Sequence, residues 1–254
     1  MNNLLKIMKY DWKRNSVAFT TFTAVFAIVQ LFLLFSPSLL NWNANIVYIF
    51  SSVGFIVPVS MIVVFMCRTY AANLSSYSRR LIPVSGGWTI ASPLVLGSIA
   101  LILLPFVFYG YSELYNAVTG SDFHIMNPIV DSFSNAAAAL IIYFWTLLFL
   151  TIAIQFSITL AKSVSMKKLG PWLGIAAFFI IQMIVSWMDK LLFDNNGSNG
   201  SFNFVAETDS AANVISYQVQ LWNTQLWGSA IMQAAVAAIM FYAMVKLLNK
   251  RVQL

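Results

Sequence analysis

Six runs of about twenty apolar residues, parted by short polar stretches, leave this chain little choice of fold. They fall near 17–35, 46–67, 90–109, 136–161, 172–192 and 223–248. A helix of ~20 residues is what crosses a ~30 Å hydrocarbon core. No Asp, Glu, Lys, Arg or His lies deep inside any of the six runs. The 254 residues are 60% hydrophobic and 9% charged, whereas a soluble domain carries roughly a quarter charged residues. In lipid each segment must satisfy its own backbone polar groups, so every run reads as a helix. The expected fold class is an all-α membrane protein with six transmembrane helices in a single domain, 1–254.

Charge decides the expected orientation. The chain has 14 Lys and Arg against 8 Asp and Glu, a net +6. Every base except Lys190 falls before the first run, between the second and third, between the fourth and fifth, or at the end of the sixth and beyond. Every acid except Asp11 falls on the opposite side. Excess Lys and Arg mark the cytoplasmic face, which predicts both termini inside. Trp12, Trp88 and Trp172 mark the inner ends of runs and Trp42, Trp187, Trp222 and Trp227 the outer ends, where an amphipathic ring prefers to sit. Scattered bases of this kind suit lipid headgroups and give no nucleic-acid footprint.

Residues 1–15 read as an interfacial helix. Lys6, Lys9 and Lys13 recur at one side, with Arg14 beside them, while Leu4, Leu5, Met8 and Trp12 gather on another. A helix of that pattern lies flat, its bases on phosphates and Trp12 at headgroup level. Two outer loops are expected, 110–135 and 193–222. The first carries acids and His124; the second opens with a flexible Asn/Gly/Ser stretch and continues as a short helix over 202–221. Ala230, Ala234 and Ala238 form a small-residue stripe expected to mark a packing face.

The inner segment 68–88 stands apart. It carries Arg68, Arg79 and Arg80 with no acid, and holds a helix-compatible stretch over 70–77, stopped by Pro83 and Gly86-Gly87. A segment of this length between two spans reads as a cytoplasmic lever on which a partner can push. The spans themselves offer only neutral polar groups, among them Gln30, Ser52, Ser60 and Gln182, the candidate lining of a translocation path. A neutral amide in a bundle also serves as a plain cross-helix bond, worth ~0.6–2 kcal/mol. Carriers driven by protons or sodium need a buried carboxylate, histidine or unwound backbone, so ion coupling is not expected. No phosphate-binding loop, H-E-x-x-H or G-x-S-x-G motif occurs, and a single His and a single Cys argue against a protein-only zinc or haem site. The chain is expected not to be an enzyme.

The layout resembles the ABC-2 type permeases: a basic amphipathic start, six spans with both ends inside, and a polar inner loop after the second span. That loop closes with Arg80-Leu81-Ile82-Pro83-Val84-Ser85, similar to the L-P-[VIL]-S signature of the family. The third span departs from the pattern, with Pro93 near where many relatives have a lysine. The resemblance implies a coupling helix over 70–80 seated on a separate ABC ATPase subunit, with Tyr70, Asn73, Leu74, Ser75, Ser76, Tyr77, Arg79 and Arg80 as its contacts. It implies a second permease, a copy of this chain or a relative, and ATP and Mg held by the ATPase with no cofactor in this chain. The implied setting is a bacterial cell membrane and the implied cargo amphipathic peptides, of the bacteriocin, lantibiotic or phenol-soluble-modulin kind. Two other readings stay open: a non-pumping anchor or immunity protein that binds a peptide, and an ion-coupled carrier that depends on Glu113.

Overall fold

The structure, a computed structural model, describes residues 3–75, 86–120, 132–163, 170–193, 203–208, 214–220, 222 and 224–252. The helices are α1 (Asn3–Leu40), α2 (Ala44–Gly54), α3 (Ile56–Ser75), α4 (Gly86–Thr119), α5 (Phe133–Ser163), α6 (Gly170–Phe193) and α7 (Thr224–Val252). A two-stranded hairpin, β1 (Asn203–Thr208) and β2 (Val214–Gln220), stands between α6 and α7. With α2 and α3 taken as one span, six helices are long and apolar enough to cross a membrane. Contacts divide the chain into two compact units, Met1–Ile125 and Met126–Leu254.

Several expected boundaries move. Residues 1–15 are not a separate interfacial element: α1 runs unbroken from Asn3 to Leu40. Its only proline is Pro37 and it contains no glycine, so nothing interrupts the hydrogen-bond ladder at the junction with the apolar run. The helix stops where Asn41 takes a left-handed φ of 53°, a conformation asparagine tolerates better than most residues. Asn43 then caps α2, its side-chain oxygen accepting from Asn45 N at 3.0 Å. The expected outer loop 110–135 is shorter, because α4 continues to Thr119 and ends at Gly120 with φ 64°. A glycine in that conformation is a common helix stop.

The expected helix over 202–221 is instead the β1–β2 hairpin, paired antiparallel from Asn203 opposite Gln220 to Thr208 opposite Val214. An irregularity falls between Glu207 and Thr208. The sequence carries the reason: Ile215, Tyr217 and Val219 alternate with Ser216, Gln218 and Gln220. That is a period of two, the signature of a strand.

In the first unit, the second span is broken between Gly54 and Ile56. Pro58 has no N–H to offer the Gly54 carbonyl, so the ladder fails there, and Phe55 N bonds Ser52 O at 3.2 Å instead. The Phe55 ring fills the bend. Its centroid lies 5.2 Å from Phe26 of α1, and 4.9 and 5.5 Å from Phe108 and Tyr111 of α4. Aromatic pairs in such edge-on and tilted arrangements contribute about 0.5–1.5 kcal/mol beyond area burial. Farther along, α3 and α4 pack so closely that a Cβ on Gly97 would run into the Met66 side chain.

In the second unit, glycines again set the spacing. A Cβ at Gly170 would stand 2.9 Å from the Ala161 carbonyl oxygen, and one at Gly174 3.1 Å from that of Ser157. The start of α6 therefore lies directly on the end of α5. Helix α7 buries Leu226, Ser229, Ala237, Met240 and Met244, a stripe stepping by three and four. The small-residue stripe is not that face, since Ala234 and Ala238 are exposed. A strict step of four drifts off the packed side of a 3.6-residue helix.

The Gly97–Met66 contact yields a direct test. Gly97→Leu should lower the thermal stability of the detergent-solubilised protein by about 1–3 kcal/mol. Adding Met66→Ala should return part of the loss.

Candidate functional site

The polar groups of the first unit concentrate in two places. At the end holding the chain's amino terminus, Asp11, Arg14 and Asn15 lie at i, i+3 and i+4 on α1. They face Thr69 and Asn73, one turn apart on α3, and Ser92 on α4. Asp11 is fully buried. Its Oδ2 accepts from Ser92 Oγ at 2.7 Å and from Asn73 Nδ2 at 3.2 Å. Its Oδ1 lies 3.7 Å from Arg14 Nη2. Asn73 is used at both ends, because its Oδ1 accepts from Arg14 Nη2 at 3.1 Å. Thr69 is gripped twice. Its carbonyl accepts from Arg14 at 3.3 Å and its Oγ1 from Asn15 Nδ2 at 2.8 Å.

The group acts as a clasp. One carboxylate joins three helices, and its Oδ2 bonds tie buried side chains of α3 and α4 to α1. An orphaned buried donor or acceptor costs about 1–3 kcal/mol, and a buried charge stripped of its partner more. The clasp sits on the last two turns of α3, directly ahead of residues 76–85.

The sequence-derived coupling residues are placed unequally. Tyr70, Asn73, Leu74 and Ser75 belong to the last two turns of α3, so the stretch from Tyr70 to Ser75 continues that helix and is no separate coupling helix. Tyr70 and Asn73 are buried on the same stripe as Ile62, Met66 and Thr69. They face the bundle. Leu74 is half-buried and Ser75 exposed. Ser76, Tyr77, Arg79 and Arg80 lie outside the described residues. Of the amino-terminal set, Lys6, Lys9, Trp12 and Lys13 are exposed, while Arg14 is drawn into the clasp.

At the other end of the unit, a second polar cluster joins α1, α2 and α4. Gln30 Nε2 donates to the Ser51 carbonyl at 3.3 Å, and Ser51 Oγ donates to Gln30 Oε1 at 2.6 Å. The Tyr111 hydroxyl is also 2.6 Å from Ser51 Oγ. A serine hydroxyl has one proton, so the second of these bonds uses the tyrosine's. Tyr48 Oη and Ser112 Oγ share a bond of 2.7 Å, and Tyr115 Oη donates to the Ala44 carbonyl at 2.8 Å. A groove of about 920 Å³ opens between α1 and α2, lined by Phe22, Phe26, Phe50, Val57 and Gly54, with Gln30 among them. That volume is in the range of small-molecule sites.

Of the candidate path residues, Gln30, Ser52 and Ser60 belong to the first unit and Gln182 to the second. Gln30 lines the groove with its amide engaged by Ser51. Ser52 and Ser60 bond their own helix, to the carbonyls of Tyr48 and Ile56 at 2.8 and 2.9 Å. Gln182 is half-buried on α6, in the second unit. There the amide that stands out is Gln155, fully buried on α5, with neither side-chain atom hydrogen-bonded. Glu113 is exposed on the last turns of α4. Among the described residues no His, Cys, Asp and Glu cluster could hold a metal ion.

No family model, curated protein or solved structure matches this chain.

Asp11 was the residue to find in the sequence. It is the sole acid on the basic side of the charge distribution, three residues from an arginine. Removing it should be felt throughout the unit. Asp11→Ala should lower stability by about 1–3 kcal/mol, from the loss of the acceptor that the buried Ser92 hydroxyl uses. Asp11→Asn, which keeps an acceptor for Ser92, should cost less, as read by thermal unfolding in detergent.

Proposed function

We propose that this chain is the membrane-spanning permease subunit of an ATP-driven ABC exporter, moved from its inner face by a motor on another polypeptide. The observation that carries the reading is the placement of the clasp. A push on 76–85 reaches the end of α3, and the bonds of Asp11 and Arg14 pass it to α1 and α4. The spans supply no deep charge with which to harvest an ion gradient. The Leu81-Ile82-Pro83-Val84-Ser85 sequence and the layout of six spans resemble those of ABC-2 permeases, and both support the same reading.

In this account both termini are cytoplasmic and the setting is a bacterial cell membrane. Leu74, Ser75 and the residues through Arg80 meet the ATPase, which holds ATP and Mg. A second permease, identical or related, completes the path. Rocking of the α1, α3 and α4 ends by the ATPase is a rigid-body transition of the familiar kind. The apolar groove beside Gln30 suits an amphipathic peptide better than a charged solute, because no ionisable side chain lines it.

One observation favours a second reading. A buried acid in a membrane protein is by default a functional group, and Asp11 would serve an ion-coupled carrier as well as a clasp.

The two readings part in one experiment. Proteoliposomes holding the chain and its ATPase should show cargo-stimulated ATP hydrolysis and transport indifferent to an ionophore. Changing Leu74 and Tyr77 together to Asp should leave insertion and basal hydrolysis intact and abolish transport. Transport without the ATPase, collapsing with an ionophore, would move the assignment to a carrier.

A further inference from the structure

We infer that the first turns of α1 bind the headgroup of an anionic phospholipid, and that Arg14 shares its guanidinium between that headgroup and the Asp11 clasp. At 100° per residue, Lys6, Lys9, Tyr10, Lys13 and Arg14 occupy one arc of α1. Lys6, Lys9, Tyr10 and Lys13 are exposed. The only acid in this stretch, Asp11, is turned away and buried. The positive charge of the arc therefore has no acidic neighbour on its own face. Four bases within nine residues span about 12 Å of helix, immediately ahead of the apolar run. A basic collar in that position draws anionic lipid at about 1 kcal/mol per base. Exposed Trp12 completes an interfacial surface.

Arg14 stands at the edge of the arc, between the exposed side and the clasp. Its side chain is 30% exposed. Both of its hydrogen bonds and its ion pair use Nη2. Guanidinium offers five donors in a rigid plane, so the N–H groups on Nε and Nη1 are left for another acceptor. A phosphate oxygen fits that need, since planar guanidinium pairs with phosphate through charge-assisted bonds. A phosphate held there pins the same plane that grips Thr69 and Asn73. Anionic lipid thus tightens the end of α3, while a zwitterionic headgroup, with its own cation beside the phosphate, gains little from the collar.

The test needs only this protein. It is placed in nanodiscs of phosphatidylglycerol mixed with phosphatidylcholine; retained lipids are counted by native mass spectrometry and amide exchange is followed over 70–75. Wild type should retain phosphatidylglycerol over phosphatidylcholine and exchange more slowly over 70–75 as the anionic fraction rises. The triple variant Lys6→Gln, Lys9→Gln, Lys13→Gln leaves the clasp untouched and should unfold normally in phosphatidylcholine. It should lose roughly tenfold or more of the preference. Arg14→Lys keeps the charge, so it should keep most of the preference and lose the lipid-dependent protection. Equal retention of the two lipids by wild type overturns the assignment, as does an unchanged preference in the triple variant. Protection over 70–75 that ignores lipid charge removes the role of Arg14. If glycerol 3-phosphate in detergent reproduced the protection, the site would be one for a soluble anion and the lipid assignment would fall.

Discussion

A carboxylate with no solvent contact sits among three helices that are otherwise mostly apolar, and the first unit is arranged around satisfying it. Asp11 accepts from Ser92 and Asn73 and lies beside Arg14. Taking a charge out of water costs several kcal/mol unless its lone pairs are filled. Any displacement of α1 against α3 or α4 at this end would leave that cost uncovered. Apolar packing cannot give the same definition, because lipid tails compete with side chains for the same surfaces. The clasp therefore fixes how the three helices meet at one end, and the Gln30–Ser51–Tyr111 cluster does so at the other.

Between those two ends the second span is interrupted. Pro58 withholds one hydrogen-bond donor, the helix breaks at Phe55, and the ring of that residue fills the gap against Phe26, Phe108 and Tyr111. The interruption thus lies between two hydrogen-bonded ends, beside the groove that opens between α1 and α2. Gly97, seated on Met66, sets the close approach of α3 and α4.

Much of the architecture was legible in the sequence because lipid imposes a length and a composition on every span. The six runs and their order were readable. The misses have physical causes. The segment 1–15 looked separable from its polarity, yet polarity alone does not break a helix and no glycine or proline was there to do so. The period of two in 214–220 was overlooked beside the expectation of a surface helix. Tyr70 and Asn73 are partner contacts only by the family resemblance, whereas their spacing from Met66 and Thr69 puts them on the packed stripe. The clasp itself was illegible in outline, since it joins residues 11, 73 and 92, which only tertiary packing brings together. Its one sequence trace was an acid on the wrong side of the charge distribution.

The central claim is that Asp11 couples α1 to α4 through Ser92 and does not merely occupy space between them. A double-mutant cycle on Asp11→Ala and Ser92→Ala, measured by unfolding in detergent, isolates that coupling. An interaction energy of about 1 kcal/mol or more is the result the account requires. Strictly additive losses would contradict it.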